Sequence, residues 1–328
     1  MKKAYVYMNY DNIIVLETYL NVIKNGLEKK GYKCEKIWSL DGVPTKSLIV
    51  FSAATDVFRF YLKGYKNVLL WQQGIAGEES FMRNHSNIRK IILNFIDCYA
   101  MKKARGIFFV SSYMKKYYEK MACTDFSKKC YIMPCFNEQL DNSVFEKKDY
   151  SKKTFAYVGS LSVWQCFEET AELYSKIEKA IPNTFFKVLT FDVEKAERII
   201  NEKQIKNYCV KCVPKEDVQD ELKDISFGFI IRRDTEVNRV ATPTKLSSYL
   251  SVGVLPIYSS CLRDFHTQAN GKSFALVTDI GENIDELISK ISIGVDKLTV
   301  QQEIIDLFET YYSAENHSKN ISFLSTVT

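Results

Sequence analysis

Apolar runs of strand length alternate with helical patterns along nearly the whole chain, and the alternation happens twice. Runs at 3–8, 34–38, 48–53, 67–71, 106–111 and 130–134 are mostly separated by stretches with apolar residues at helical spacing. The first such stretch, 13–30, is closed by Gly31. The pattern restarts at 154–158 and continues at 185–191, 208–213, 227–232, 254–258 and 273–277. Alternation of this kind predicts parallel sheets with helices on both faces, and right-handed crossovers make each half doubly wound. The expected fold class is therefore α/β, with two Rossmann-like domains facing a central cleft where the strands end. The polar stretch 137–153 has no strand pattern. It sets the expected boundaries at 1–140 for the first domain, 141–153 for a linker and 154–310 for the second. The helical pattern over 300–323 leaves 311–328 as a tail that could pack back on the first domain.

Composition narrows the class further. A chain of 328 residues has room for two domains, and 46% hydrophobic with 26% charged residues excludes disorder, collagen and coiled coil as the main state. No apolar run approaches the roughly 20 residues of a membrane-spanning helix. After Lys2 and Lys3, the residues Asn9, Asp11 and Asn12 interrupt any apolar region of a signal peptide. A cytoplasmic protein is expected. Nine cysteines, an odd number without repeating spacing, fit reduced thiols. The one CxxC, Cys209 to Cys212, lacks a second pair, and the three histidines (His85, His266 and His317) are far away in sequence. It reads as part of a buried strand, with no metal expected.

The net charge of +5 hides an asymmetry. Residues 1–150 hold 24 Lys+Arg against 15 Asp+Glu, a net of +9, and residues 151–328 carry −4. A basic half can attract nucleic acid, anionic lipid or a phosphorylated substrate, or simply be solvated. No nucleic-acid-binding motif accompanies it, so nucleic acid is set aside.

The most informative segment runs from Phe227 to Ile257. A strand pattern ends in Arg232 and Arg233, and a polar loop then leads to a helix start. Thr242 fits the N-cap and Pro243 the first helical position. Free N–H groups and the helix dipole make such a start an anion site. Lys245, with Arg232, Arg233 and Arg239, adds positive charge, and Thr244 and Ser247 add hydroxyls. Four cations at one helix start suit a diphosphate, unless some pair with Asp234 and Glu236. A second candidate follows the run 154–158, where Gly159 permits a tight turn before a helical pattern with Phe167, Tyr174, Ile177 and Ile181 on one face. No GxGxxG or GxxxxGK[ST] occurs, which disfavours ordinary NAD and P-loop sites.

These residues match a known pattern. WQQGIAGEES (71–80), IMPCFN (132–137), YVGSLSVWQ (157–165) and NRVATPTK (238–245), with Tyr249 and Gly253, resemble glycosyltransferases of the two-domain GT-B fold. The likeness is to the family-four-like enzymes that build bacterial surface polysaccharides. It implies a nucleotide-sugar donor on the second domain and a saccharide or lipid-linked acceptor on the first, with retention of configuration and no cofactor or metal. Arg232 and Lys245 would be the catalytic cations on the leaving diphosphate. Gly159, Ser160, Gln165, Asn238, Arg239, Pro243, Thr244 and Ser248 would bind the donor. Gln72, Gln73, Gly74 and Glu78 would lie on the acceptor side, although acids such as Glu78 and Glu79 are favoured in any first helical turn.

This chain departs from the family pattern at several positions. Ser160 and Gln165 stand where the pattern has a cation and a lysine. Its two glutamates fall at Val240 and Ser248, and its glycine-rich first loop is Asn9-Tyr10-Asp11-Asn12. The departures leave a second reading open, a catalytically degenerate accessory subunit of a polysaccharide assembly complex. In a helix expected over 78–103, Ile88, Ile91, Ile92, Phe95, Ile96 and Tyr99 share one face. Arg83, Arg89, Lys90, Lys102 and Lys103 lie around it. Such a stripe is more often core; the alternative is peripheral contact with the inner face of a membrane through the basic half.

Overall fold

The computed structural model of the chain describes residues 2–8 and 13–321, with side chains in the first helix from Leu16 onward. The expected first loop, residues 9–12, and the end of the tail, residues 322–328, lie outside the described residues. The chain forms two compact units. One holds the residues up to Cys135, Val240–Thr242 and the chain from Ser313; the other holds Phe136–Arg239 and Pro243–Tyr312.

In chain order the first unit begins β1 (Lys2–Tyr7), α1 (Ile13–Lys29), β2 (Tyr32–Ile37), β3 (Leu48–Phe51), α2 (Ala54–Leu62) and β4 (Val68–Gln72). It continues with α3 (Ala76–Asn84), α4 (Asn87–Lys103), β5 (Gly106–Phe109), α5 (Ser112–Ala122) and β6 (Cys130–Ile132). The second unit follows with α6 (Val144–Lys147), β7 (Thr154–Val158), α7 (Phe167–Ala180), β8 (Phe185–Leu189), α8 (Val193–Glu202) and β9 (Tyr208–Lys211). Then come α9 (Val218–Leu222), β10 (Phe227–Ile230), α10 (Glu236–Val240), α11 (Thr244–Leu250), β11 (Leu255–Tyr258) and α12 (Arg263–Ala269). The chain closes with β12 (Leu276–Val277), α13 (Asp285–Ile293), α14 (Lys297–Thr310) and α15 (Ala314–Asn320).

Each unit is built on a six-stranded sheet, ordered β2-β1-β3-β4-β5-β6 in the first and β12-β11-β10-β7-β8-β9 in the second. Every strand pair is parallel. Parallel strands covered on both faces must be apolar along their length, which is why β3, β4, β5, β10 and β11 are buried at every position. Some strands stop earlier than the apolar runs do: the run 227–232 ends as strand at Ile230, and the run 106–111 at Phe109.

Two long helical patterns are broken by local chemistry. The pattern over 78–103 splits at His85, which takes the left-handed conformation with φ +52°, and Ser86 caps α4 through the Arg89 N–H at 3.4 Å. The pattern over 300–323 splits at Ser313, whose hydroxyl caps α15 through the Asn316 N–H at 3.3 Å. Within the first unit α15 lies on α1, with Lys29 Nζ donating to Ser318 Oγ at 2.7 Å. Gly26 leaves the room, since a Cβ there would meet Ser318 O at 3.0 Å. Cys209 sits in the half-buried edge strand β9 rather than in a buried one, and Cys212 is exposed; all nine cysteines are free. Among the described residues no helix is long and apolar enough to cross a membrane.

One contact ties a helix of the second unit to its sheet. Tyr249 of α11 is fully buried and lies flat on Gly228 of β10, while its hydroxyl accepts from the Val158 N–H at 3.1 Å. A Cβ at residue 228 would sit 2.5–2.8 Å from the ring. Gly228→Ala should therefore cost about 1–3 kcal/mol of stability by overpacking, read as a lowered urea midpoint with an unchanged slope.

Candidate functional site

In the second sheet the strand order reverses between β7 and β10, and a crevice at such a switch point is where open sheets bind ligands. The chain leaves β7 at Gly159, with φ +123°, a conformation that side chains strain to adopt. It passes through a single 3₁₀ turn, Val163–Gln165, and a left-handed Cys166 before α7 begins. From β10 it leaves through Arg232, whose N–H donates to Ser259 Oγ at 3.1 Å. The third contributor is α11. Lys245 and Tyr249 are four residues apart and share a face, so anchoring Tyr249 on Gly228 aims Lys245 at the Gly159 turn. A Cβ at residue 159 would lie 2.5 Å from both Cε and Nζ of Lys245. The backbone favours glycine there, and the end of the lysine side chain occupies the space a Cβ would take.

The charges meet on one neutral atom. Arg232 Nη2 donates to Gln165 Oε1 at 2.5 Å, and Lys245 Nζ donates to the same oxygen at 2.6 Å. Arg232 Nη1 adds bonds to the Gln165 and Ile231 carbonyls, both at 2.8 Å. Lys245 Nζ also lies 5.0 Å from the centre of the Tyr157 ring. Among the described residues no carboxylate forms an ion pair with either cation. Two like charges roughly 5 Å apart repel by about 3 kcal/mol at the effective dielectric of a protein surface. Burial, then the Arg232 charge, holds the Lys245 ammonium well below its usual pKa. Burial also lowers that of Arg232. Such a pair is poised for an anion.

The other residues expected here divide. Arg233 pairs with Glu169 of α7. Arg239 is held by Asp234 at 2.6 and 3.0 Å and by Glu236 at 2.7 Å. Two of the four expected cations are thus neutralised in ion pairs, and two converge on Gln165. Asn238 is buried and spends its amide on the Arg233 carbonyl at 2.9 Å, so it shapes the loop. The helix start differs from the expected one: Pro243 is the cap and Thr244 the first helical residue, with no side-chain cap bond. Thr242 instead accepts from the Cys135 N–H at 3.0 Å. Ser247 and Ser248 donate to Asn137 Oδ1 at 2.8 and 3.0 Å, and both lie within bonding distance of the Thr244 carbonyl. Ser160 bonds Ser162 at 2.9 Å, and its carbonyl accepts from Tyr157 at 2.7 Å. Val240 is buried, and its carbonyl accepts from Ser111 at 2.7 Å.

In the first unit the loop after β4 is held by a buried network. Gln72 Nε2 donates to the Gly74 carbonyl at 2.7 Å and to Tyr118 Oη at 3.0 Å. Tyr118 donates to Asp97 Oδ2 at 2.7 Å. Gln73 Nε2 reaches the Ser52 carbonyl at 3.1 Å. The Glu79 carboxylate lies close over Gly74 and accepts from the Ile75 N–H at 3.2 Å. Glu78 is engaged by Lys90 at 2.7 Å and by Tyr117 at 3.2 Å. Burial pushes the Asp97 carboxyl up to about 6, against the opposing Tyr118 bond. Asn137, Tyr118 and Asp97 were given no role by the sequence analysis. The signal for Asp97 was present, as the single acid in the run from Ile88 to Met101. Among the described residues no cluster of three His, Cys, Asp or Glu could hold a metal ion.

The sequence matches no family model and no curated protein. Among solved structures, the chain is similar over 99% of its length to 98% of sucrose-phosphate synthase from Thermosynechococcus elongatus, at TM-score 0.69 and 9% identity. It is similar over 100% of both chains to the lipopolysaccharide outer core galactosyltransferase WaaB, at TM-score 0.67 and 11% identity. The fold is GT-B. A third GT-B structure, TarM from S. aureus as a mutant in complex with fondaparinux, alpha-GlcNAc-glycerol and UDP, aligns with 88% of the chain at TM-score 0.63 and 10% identity. The chain spans only 56% of the length of TarM.

Two tests follow from this geometry. Gln165→Glu would give both cations a carboxylate, so it should raise the melting temperature and reduce pyrophosphate binding at least about thirtyfold by calorimetry, the equivalent of about 2 kcal/mol. Asp97 binds its proton more tightly folded than unfolded, so its contribution to stability falls as pH rises from about 4 to about 6. The full swing is about 3 kcal/mol. Asp97→Asn should flatten that part of the stability-versus-pH curve in urea titrations.

Proposed function

We propose that the protein is a glycosyltransferase that moves a sugar from a nucleotide-sugar donor, held by the second unit, to a saccharide or lipid-linked acceptor in bacterial cell-surface polysaccharide synthesis. The observation that carries this reading is the convergence of Arg232 and Lys245 on one amide oxygen at the sheet's switch point, without a carboxylate among the described residues. The GT-B fold and the UDP in the TarM complex support it.

In the reaction the bond from the sugar's anomeric carbon to the diphosphate oxygen breaks as an acceptor hydroxyl oxygen bonds to that carbon. The hydroxyl proton leaves toward the departing diphosphate. Negative charge grows on the phosphate oxygens, and fixed cations aimed at that position stabilise it most where water is excluded. Arg232 and Lys245 supply that charge, so the reading includes no metal or other cofactor. Gln165 holds the pair together and yields both donors to the phosphates. Gly159 keeps the turn low enough for a diphosphate to approach. Gln72, Gln73, Gly74 and Glu78 are assigned to the acceptor side, and the transfer retains configuration. The enzyme works in the cytoplasm, at the inner face of the cell membrane.

A second reading rests on Ser248 and Val240. The Ser248 hydroxyl is committed to Asn137 and Thr244, and Val240 is a buried apolar residue, so neither offers a ligand the carboxylate of the family pattern. In that case the protein is an accessory subunit without turnover. Calorimetric titration with UDP, GDP, CMP and dTDP separates the two. One nucleotide should bind, with proton uptake at alkaline pH as the Lys245 amine regains its proton beside the phosphates. Lys245→Ala or Arg232→Ala should weaken binding by about thirty- to a hundredfold, in line with 2–3 kcal/mol for a charge-assisted bond. Silence across the panel from folded protein would favour the accessory reading.

A further inference from the structure

Helix α4 is turned the opposite way from an ordinary surface helix. Its inward face carries Asp97, Ala100 and Met101, and Asn94 packs against Gly77 of α3. Its outward face carries Ile88, Ile91, Ile92 and Phe95, which are 74%, 67%, 53% and 62% exposed. The stripe expected to be core is on the surface, because the Asp97–Tyr118 bond and the close α3–α4 approach fix the helix's rotation. The apolar surface continues onto α2. Phe58 meets Phe95 and Tyr99 edge-on at 6.4 and 5.1 Å, Tyr61 meets Tyr99 at 6.0 Å, and Leu62 is exposed.

The exposed charges on the two helices and at their ends have one sign, while Glu78 of the neighbouring α3 is paired with Lys90. Arg59, Lys63, Arg89, Lys102 and Lys103 are exposed on or beside the two helices. The acids within them, Asp56 and Asp97, are half-buried and buried. Four large apolar side chains exposed together on one helix are unusual in water and mark a contact. A second copy of the chain would bring this cationic fringe against its own duplicate. A layer of anionic headgroups over acyl chains matches both features, as for a helix lying in the plane of a bilayer interface.

We infer that the outward face of α4, extended by α2, docks the protein on an anionic lipid surface, with Ile91 and Phe95 entering the acyl region and Lys102 and Lys103 meeting the headgroups. The inference deepens the proposed location at a membrane face and rests on that reading, while its observations come from the first unit alone. Its failure is therefore distinguishable from failure of the donor site, which nucleotide titration reads in the second unit.

The test is flotation of the full chain with vesicles of phosphatidylcholine, with and without phosphatidylglycerol. Binding should require phosphatidylglycerol and weaken at high salt. Lys102→Ala/Lys103→Ala should lower the partition coefficient about tenfold or more, and Ile91→Ser/Phe95→Ser should abolish binding. Ile88→Ser/Ile91→Ser, which leaves the Phe58–Phe95–Tyr99 cluster intact, should do the same without changing the thermal melt. No binding by the wild type, equal binding to neutral vesicles, or undiminished binding by the serine variants would overturn the inference. So would a dimer in sedimentation that Ile91→Ser/Phe95→Ser dissociates while vesicles are ignored.

Discussion

Two cations that share the amide oxygen of Gln165 set the terms for the second unit's site. Like charges do not settle together without a reason, and this pair is held by groups that have no charge to offer. Ser259 fixes the backbone of Arg232, and Tyr249 pins α11 so that Lys245 points at the turn. Gly159 and Gly228 then leave the space that each anchor needs, one for the lysine and one for the tyrosine ring. The structure spends its freedom on keeping the two charges unneutralised, while Arg233 and Arg239, a few residues away, are paired with acids. Diphosphate chemistry needs charge that is already in place and already dry.

The first unit uses a different device for its loop. Around Gln72–Gly74 the bonds run through neutral amides, a tyrosine and a buried carboxyl, so position is fixed with no cation committed to it. The same network reaches into α4 and decides which of its faces turns inward. A polar group buried at Asp97 thereby expels an isoleucine stripe to the surface. The loop's geometry and the exposed face share one element, the Asp97–Tyr118 bond, which acts with the other loop bonds and with the close α3–α4 approach at Gly77.

Much of this was legible in the residues. Each apolar run became a parallel strand, and the restart at Thr154 marked the second sheet. The segment from Arg232 to Lys245 stood out as cationic before a helix. Less legible were the stopping points. His85 in a left-handed conformation and the Ser86 and Ser313 caps break patterns that periodicity reads as continuous, since local capping competes with helix propagation on a scale that apolar spacing does not report. The expected cap at Thr242 moved one residue onward, to Pro243, and the Thr242 hydroxyl accepts from the Cys135 N–H instead.

What the sequence determined by itself was the α/β class, the two sheets and the pool of candidate residues, because these follow from side-chain period and residue type along the chain. What the tertiary structure decided was partnership. Four cations near one helix start are equivalent on paper. Only the fold shows that two of them meet acids and two meet an amide, since the distances between Arg232, Lys245 and Gln165 are set by strand order and helix docking. The rotation of α4 is decided in the same way. Periodicity says that one face is apolar; a buried hydrogen bond, worth more inside than in water, and the close approach of α3 say which face is hidden.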